Sequence, residues 1–410
     1  MQQYLRADSE RIIKAAISSV LPDDAVRRAL KNEIFPGNIY LVSVGKAAWQ
    51  MAKTAAEILS QPINQGIVIT KYDHIKSPIV NINCFEAGHP VPDENSVIAT
   101  QAVLDMTASL KENDTVLFLL SGGGSALFEK PLVSMDEMQD ITRQLLACGA
   151  DIVEVNTIRK RLSFVKGGRF AQWCAPARVH SIILSDVLGD PLDMIASGPA
   201  AADPFYSDEA LNIINKYHLK ISTEAEKWLR TETPKELNNV KSQVIGSVRE
   251  LCKAAAQECE KLGYKPIFLT DQLNCEAREA GRFLAGILKA YYGKEERTVW
   301  LAGGETIVHL KGKGLGGRNQ ELVLAAAMDI DGLDNAAVVS IGSDGTDGPT
   351  DAAGGFADGH TASILRDKGI DIYRYLEEND SYHALEAANG LFVTGPTGTN
   401  VNDLTLALLN

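Results

Sequence analysis

With 410 residues, 45% of them hydrophobic and 23% charged, the chain has the balance of a globular protein large enough for two cores, which excludes a collagen-like or largely disordered polypeptide. A formal net charge of −13 repels polyanions over the surface as a whole, so no nucleic acid partner is expected; a small anion can still bind where a few cations and backbone N–H groups converge. No apolar stretch reaches about 18 residues and the N-terminus is polar, so neither a membrane span nor a leader is expected. The six cysteines, Cys84, Cys148, Cys174, Cys252, Cys259 and Cys275, show no C-x-x-C pair or zinc-ligand spacing, and reduced, mostly buried thiols in a cytoplasmic protein follow as the expectation.

Short β-rich apolar runs alternate with longer segments of helical period, the pattern of α/β units on a mainly parallel sheet. In chain order the spacing predicts a helix over 9–20, a strand over 39–44, a helix over 46–59, a strand over 66–70, a helix over 96–110, and strands over 115–120, 181–185 and 243–246. The second half continues with a helix over 250–262, a strand over 267–270, a helix over 275–291, a strand over 299–302, a helix over 320–328, and strands over 337–341 and 391–394. The polar, proline-containing segment 229–241 reads as a boundary between a domain of residues 1–235 and one of residues 236–410. Most predicted strands run into Gly, Asp or Ser, which matters because open α/β sheets bind ligands at the carboxyl ends of their strands.

The strongest local signal follows the strand over 115–120, where Ser121-Gly122-Gly123-Gly124-Ser125 can curl consecutive N–H groups toward one phosphate; the bland reading is a tight turn, for which one glycine would suffice. Lys46, in Ser43-Val44-Gly45-Lys46-Ala47-Ala48, starts a helix directly after a strand. The spacing is not that of a Walker A loop, but the ammonium can reach a transferring phosphoryl group, with a solvated lysine as the alternative. Asp186 and Asp190 in Ser185-Asp186-Val187-Leu188-Gly189-Asp190 sit where a rigid strand end meets an open loop, a setting for a magnesium ligand or proton acceptor, or merely for turn caps.

In the C-terminal half, Gly303-Gly304-Glu305-Thr306 ends a strand and Gly316-Gly317-Arg318-Asn319 opens a helix. A cation at a helix start opposes the dipole unless an anion joins it, so Arg318 reads as an anion-binding residue. Asp344, Asp347 and Asp351 lie among glycines after another strand; the EF-hand pattern fails, leaving magnesium or a substrate hydroxyl as the partner. Thr394 to Asp403 supplies further hydroxyls and an Asn/Asp cap. The run Asn156-Thr157-Ile158-Arg159-Lys160-Arg161 with Lys166 and Arg169 is the one basic cluster and reads mainly as a solvated face. His89, in a proline-fixed turn without a visible partner, reads as structural.

Taken together, SVGKAA, GHPVPDENS, SGGGSA, NTIRKRLSFVKGGR, SDVLGDP with ASGP, GGET, GGRNQE, GSDGTDGPTDAAG and TGPTGTNVND resemble, in order and over nearly the whole chain, the glycerate 2-kinase family, whose C-terminal part is the MOFRL domain. The resemblance implies a Rossmann-like, mainly parallel N-terminal domain and a smaller α/β domain carrying the MOFRL segment over roughly 297–405, with a deep cleft between. It implies ATP-dependent, Mg2+-assisted phosphorylation of D-glycerate to 2-phospho-D-glycerate, and active-site roles for Lys46 and Arg318. On the combined reading, Lys46, Arg318 and Asp186 are catalytic candidates. Ser121, Gly122, Gly123, Gly124, Ser125, Asn156 and Glu305 are nucleotide-site candidates, and Asp186, Asp190 and Asp344 are metal candidates. A nicotinamide-dependent hydroxypyruvate reductase and a non-catalytic sugar-acid binder remain as alternatives, and sequence does not separate a monomer from a homodimer.

Overall fold

The computed structural model describes residues 3–410. They divide into two units, one of Ala25–Ile245 and one of Gly246–Asn410 joined by the N-terminal stretch up to Asp24. The first unit holds β1 (Ile39–Val44), β2 (Ile63–Lys71), β3 (Ile82–Ala87), β4 (Thr115–Leu120), β5 (Arg178–Leu184) and β6 (Val240–Gly246), in the order β3-β2-β1-β4-β5-β6. β1 pairs in parallel with β2 and β4, and the β2–β3 and β4–β5 pairs are parallel too.

The apolar content of these strands follows from burial on both faces. Val116, Phe118 and Leu120 join Leu127, Phe128 and Phe170 in one core cluster, while Leu117 and Leu119 of the same strand join Leu41, Met51 and Ala52 in another. A strand covered on both sides needs an apolar residue at every position, and so reads as a continuous run rather than an alternation. β3 broke that rule: only its end residues are fully buried, and its sequence INCFEA was too polar to predict.

Segment 229–241 is not a linker. Asn239 Nδ2 donates to Ala171 O at 2.9 Å and Ala177 O at 3.0 Å, Thr233 Oγ1 donates to Asp203 Oδ2 at 2.8 Å, and Arg161 Nη1 donates to Thr231 O at 2.8 Å. These bonds sew the segment to the first unit and deliver β6 to the sheet edge, so the division falls at Ile245/Gly246 and not at 235/236. The first helix, Gln3–Ser19, also departs from the expected domain of residues 1–235. It buries Leu5, Ile12, Ile13, Ala16 and Ile17 and packs on the helix Val248–Lys261, with Arg11 Nε on Glu258 Oε1 at 2.6 Å and Tyr264 OH on Asp8 Oδ2 at 2.7 Å.

The second unit has β7 (Lys265–Leu273), β8 (Thr298–Gly304), β9 (Ala336–Gly342), β10 (Gly354–Asp358), β11 (Leu391–Phe392) and β12 (Asp403–Leu409), ordered β11-β10-β9-β12-β8-β7. Only β7–β8 is parallel; β12 runs antiparallel to both β8 and β9. The helix Arg318–Asp329 lies at the centre of this core, burying Leu322 through Ala327 among Leu284, Leu288, Leu365 and Leu385.

The basic cluster is the reverse of a solvated face. Lys160, Arg161 and Lys166 are 0% exposed. Lys160 Nζ lies 2.7 Å from Asp193 Oδ2 and 3.3 Å from Asp203 Oδ1, and Lys166 Nζ lies 2.5 Å from Glu129 Oε2 and donates to Phe128 O at 3.0 Å. Burial pulls the Lys166 ammonium down to about 8, against the raising effect of Glu129. The run itself gives no sign of this, because charges are buried only when paired and the partners lie 33, 43 and 37 residues away in the chain. Lys166→Met leaves buried Glu129 with only Arg159, at 4.0 Å, as its cation and should cost about 3 kcal/mol, whereas Lys166→Met with Glu129→Leu should recover much of it; urea denaturation of the two variants checks this.

Candidate active site

The strand order reverses at β1: the chain leaves β1 toward β2 and β3, then returns to place β4 on the other side. In such sheets the crevice opens where neighbouring loops depart in opposite directions, here after β1 and β4. The two loops are hydrogen-bonded to each other. Ser121 N donates to Val44 O at 2.9 Å, Lys46 N to Gly122 O at 2.9 Å, and Ala47 N to Ser121 Oγ at 3.1 Å. Among the described residues the half-buried Lys46 has no carboxylate partner, although its neighbours on every side are placed by these bonds.

The glycines of the β4 loop are required by what lies against them. A Cβ on Gly122 would sit 2.2 Å from Asp186 Oδ2, at the end of β5, and one on Gly123 would sit 2.8 Å from His89 Cδ2 and 2.9 Å from its Nε2, after β3. Gly123 also has φ +88°, in the left-handed region that side chains avoid. Further along, Ser197 Oγ donates to Asn156 Oδ1 at 2.8 Å, so Ser125 Oγ donates in turn to Ser197 Oγ at 3.1 Å. Arg159 Nη2 donates to Ser125 O at 3.3 Å. Lys46, the Ser121–Ser125 turn, Asp186 and, through Ser197, Asn156 are thus brought together. Asp190 lies further along the β5 loop, its Oδ1 buried with no hydrogen-bond partner.

In the second unit the late motifs converge through β12, whose first residue, Asp403, lies in register with Gly304 of β8 and Gly342 of β9. Arg318 Nε and Nη2 donate to Asp403 Oδ2 and Oδ1 at 2.6 and 2.9 Å, and Nη1 donates to Glu305 Oε1 at 2.8 Å. The helix start is neutralised separately: Asp347 accepts from Asn319 N at 3.1 Å and Gln320 N at 2.9 Å. The anion demanded by Arg318 is therefore supplied from within the fold, and Asp347 is a helix cap rather than a metal or substrate ligand. Burial raises the Asp403 carboxyl to about 6 despite its bond to Arg318. Burial would lower the Arg318 guanidinium, but Asp403 raises it above the ordinary arginine value. Asp344 Oδ1 accepts from Thr346 N and Oγ1 at 2.9 and 3.0 Å, a turn closed on itself. Among the described residues no three His, Cys, Asp or Glu side chains gather into a metal-holding group.

The family described as domain of unknown function DUF4147 matches residues 8–230, and the MOFRL family matches residues 298–403. A D-glycerate 2-kinase of Thermotoga maritima is 51% identical over 97% of each chain. The crystal structure of a glycerate kinase from Thermotoga maritima superposes with a TM-score of 0.96 at 49% identity, covering 100% of both chains. The chain belongs to the glycerate kinase family. A relative from Agrobacterium vitis, 38% identical over 97% of this chain and 93% of its own, carries the name putative hydroxypyruvate reductase.

Two positions depend on contacts that the sequence of this family member does not show. His89 lies against the Gly123 turn, which is distant in sequence. Asp403 opens β12, buried at every position, rather than serving as a terminal cap; the run Leu404-Thr405-Leu406-Ala407-Leu408-Leu409 is the sequence signal for that strand. Asp403 also carries a pH signature. A carboxyl raised on folding contributes stability that is complete below its unfolded value near 4 and is lost as pH rises through about 6. The stability of the native protein relative to Asp403→Asn should therefore increase as pH falls from about 7 to about 4, measured by urea midpoints; an advantage that shrinks over that range contradicts the assignment.

Proposed function

We propose that this protein transfers the γ-phosphoryl group of ATP to D-glycerate, forming 2-phospho-D-glycerate and ADP. The observation that carries the reading is an unpaired ammonium, Lys46, hydrogen-bonded through its backbone to a glycine turn at the reversal point of a parallel sheet. A phosphoryl group in flight spreads negative charge over its oxygens, and fixed cations and N–H donors stabilise it without covalent help. Lys46 meets that charge, and the Ser121–Ser125 turn, with Gly122, Gly123 and Gly124, presents backbone donors to the nucleotide phosphates. Asn156 acts through Ser197 on Ser125.

Arg318 uses three of its five N–H donors on Asp403 and Glu305. The remaining two suit the carboxylate of the acid substrate, and Glu305 works by orienting that guanidinium. Asp186 and Asp190 are the residues to hold Mg2+. The buried, unpartnered Oδ1 of Asp190 fits that role, and a magnesium ion needs only one or two protein carboxylates when phosphate oxygens complete its shell. Bound there, the ion would neutralise charge on the phosphates. Asp344 is left out because its Oδ1 closes a turn with Thr346.

The reductase reading is disfavoured at two positions of the same sheet. A dinucleotide site needs a G-x-G-x-x-G turn after its first strand and an acidic residue closing the second; β1 is followed by the single glycine Gly45, and β2 ends on Lys71. A cytoplasmic setting is supported by six free thiols and by the lack, among the described residues, of any helix long and apolar enough to cross a membrane. Lys46→Ala should lower the rate of glycerate- and Mg2+-dependent ADP release by about 10²-fold or more with an unchanged melting temperature. A near-normal rate in that variant, or hydroxypyruvate-dependent NADH oxidation by the native protein, contradicts the reading.

A further inference from the structure

Building on the phosphotransfer reading, we propose that His89 is a catalytic residue that takes the hydroxyl proton of the acceptor as the phosphoryl group is transferred. The imidazole follows β3 and lies on the Cα of Gly123, its Nε2 2.9 Å from where a Cβ would stand. Among the described residues neither ring nitrogen has a hydrogen-bond partner. The turn that carries the ring is nevertheless held in place. Asp93 accepts from the backbone of Gly88 and from Tyr72 OH at 2.6 Å, and caps the helix Glu94–Thr107 through Ser96 N at 3.0 Å. A well-fixed turn thus presents a half-buried imidazole, with no partner among the described residues on either nitrogen, beside the glycine loop, where a ligand hydroxyl can take the place of water.

The other groups around the loop are unsuited to accept a proton. Lys46 is a cation, and Asp186, against Gly122 on the other flank, is assigned to the metal. The charges facing His89 are Lys46 from the β1 loop and Lys71 from the end of β2, while the Asp93 carboxylate of its own turn is spent on Gly88, Tyr72 and Ser96. Burial, reinforced by the two lysines, holds the imidazole below its ordinary value, so it is neutral near pH 7 and able to accept. In the step, the glycerate hydroxyl oxygen bonds to the γ-phosphorus, the bond from that phosphorus to the ADP oxygen breaks, and the hydroxyl proton passes to a ring nitrogen of His89 and then to solvent. The flanking lysines favour that last release. Gly123 accordingly has a second duty besides turning the backbone: it leaves the ring room to reach the reacting atoms.

The test compares the native enzyme with His89→Asn and His89→Gln, assayed with ATP, Mg2+ and D-glycerate across pH. The expected result is a kcat lower by about 10²-fold with KM for glycerate within about threefold, and loss of the acidic limb of the kcat/KM profile. A kcat within about twofold of native, or an acidic limb that persists in both variants and so belongs to Asp403 or another group, overturns the proposal. Independently of turnover, the His89 imidazole resonances of the native protein should titrate below about 6.5 and move when D-glycerate and a non-hydrolysable ATP analogue are added together; resonances that ignore both ligands overturn it as well. If the native protein releases no ADP with glycerate, the kinase reading falls and His89 with it, whereas an active native enzyme with indifferent His89 variants removes only His89.

Discussion

The hydrogen bonds from Ser121 N to Val44 O and from Lys46 N to Gly122 O, both 2.9 Å, are the join on which the rest of the first unit depends. They continue the β1–β4 pairing past the last strand residues and into the loops, so two turns that would otherwise wander independently behave as one rigid rim. Lys46, Asp186 and His89 come from the ends of three different strands, and each is positioned relative to the Gly122–Gly123 backbone. Parallel strands make this possible because they deliver all their carboxyl ends to one edge. The glycines then remove the side chains that would hold the three groups apart.

Charge buried away from water is the second constraint. Lys160, Arg161 and Lys166 are buried in the first unit on Asp193, Asp203, Glu232 and Glu129, and Arg318 is clamped by Asp403 and Glu305 in the second unit. Each pair forfeits hydration and recovers it only through short, well-directed bonds. Such pairs contribute little net stability, but they fix where a cation points. For Arg318 this leaves two donors in a set direction, and for Ser125 it leaves a hydroxyl whose donor role is already decided by Ser197 and Asn156.

Strands buried on both faces, such as β1, β4 and β9, were legible in the sequence because their runs are mostly apolar, interrupted at most by a small serine, and lead into glycine or serine. The Ser121–Ser125 turn was legible as a turn because glycines cluster after a buried strand, and Lys46 and Arg318 stood out as a cation after a strand and a cation at a helix start. What could not be read were facts about pairing across the chain. The Lys160 and Lys166 carboxylate partners, the antiparallel insertion of β12 that carries Asp403 to Arg318, and the return of the first helix to the second unit all depend on contacts with no local trace. β3 and β10 were missed for a related reason: INCFEA carries Asn83 and Glu86 among its six residues and GGFAD opens on two glycines, and tertiary packing overrode both propensities.

The most direct measurement is a crystal structure of this protein with Mg2+, a non-hydrolysable ATP analogue and D-glycerate. The account predicts phosphate oxygens within hydrogen-bond reach of backbone N–H groups of the Gly122–Ser125 turn and of Lys46 Nζ, at the carboxyl ends of β1 and β4. Phosphates bound elsewhere, with the Lys46 ammonium left in solvent, would contradict it.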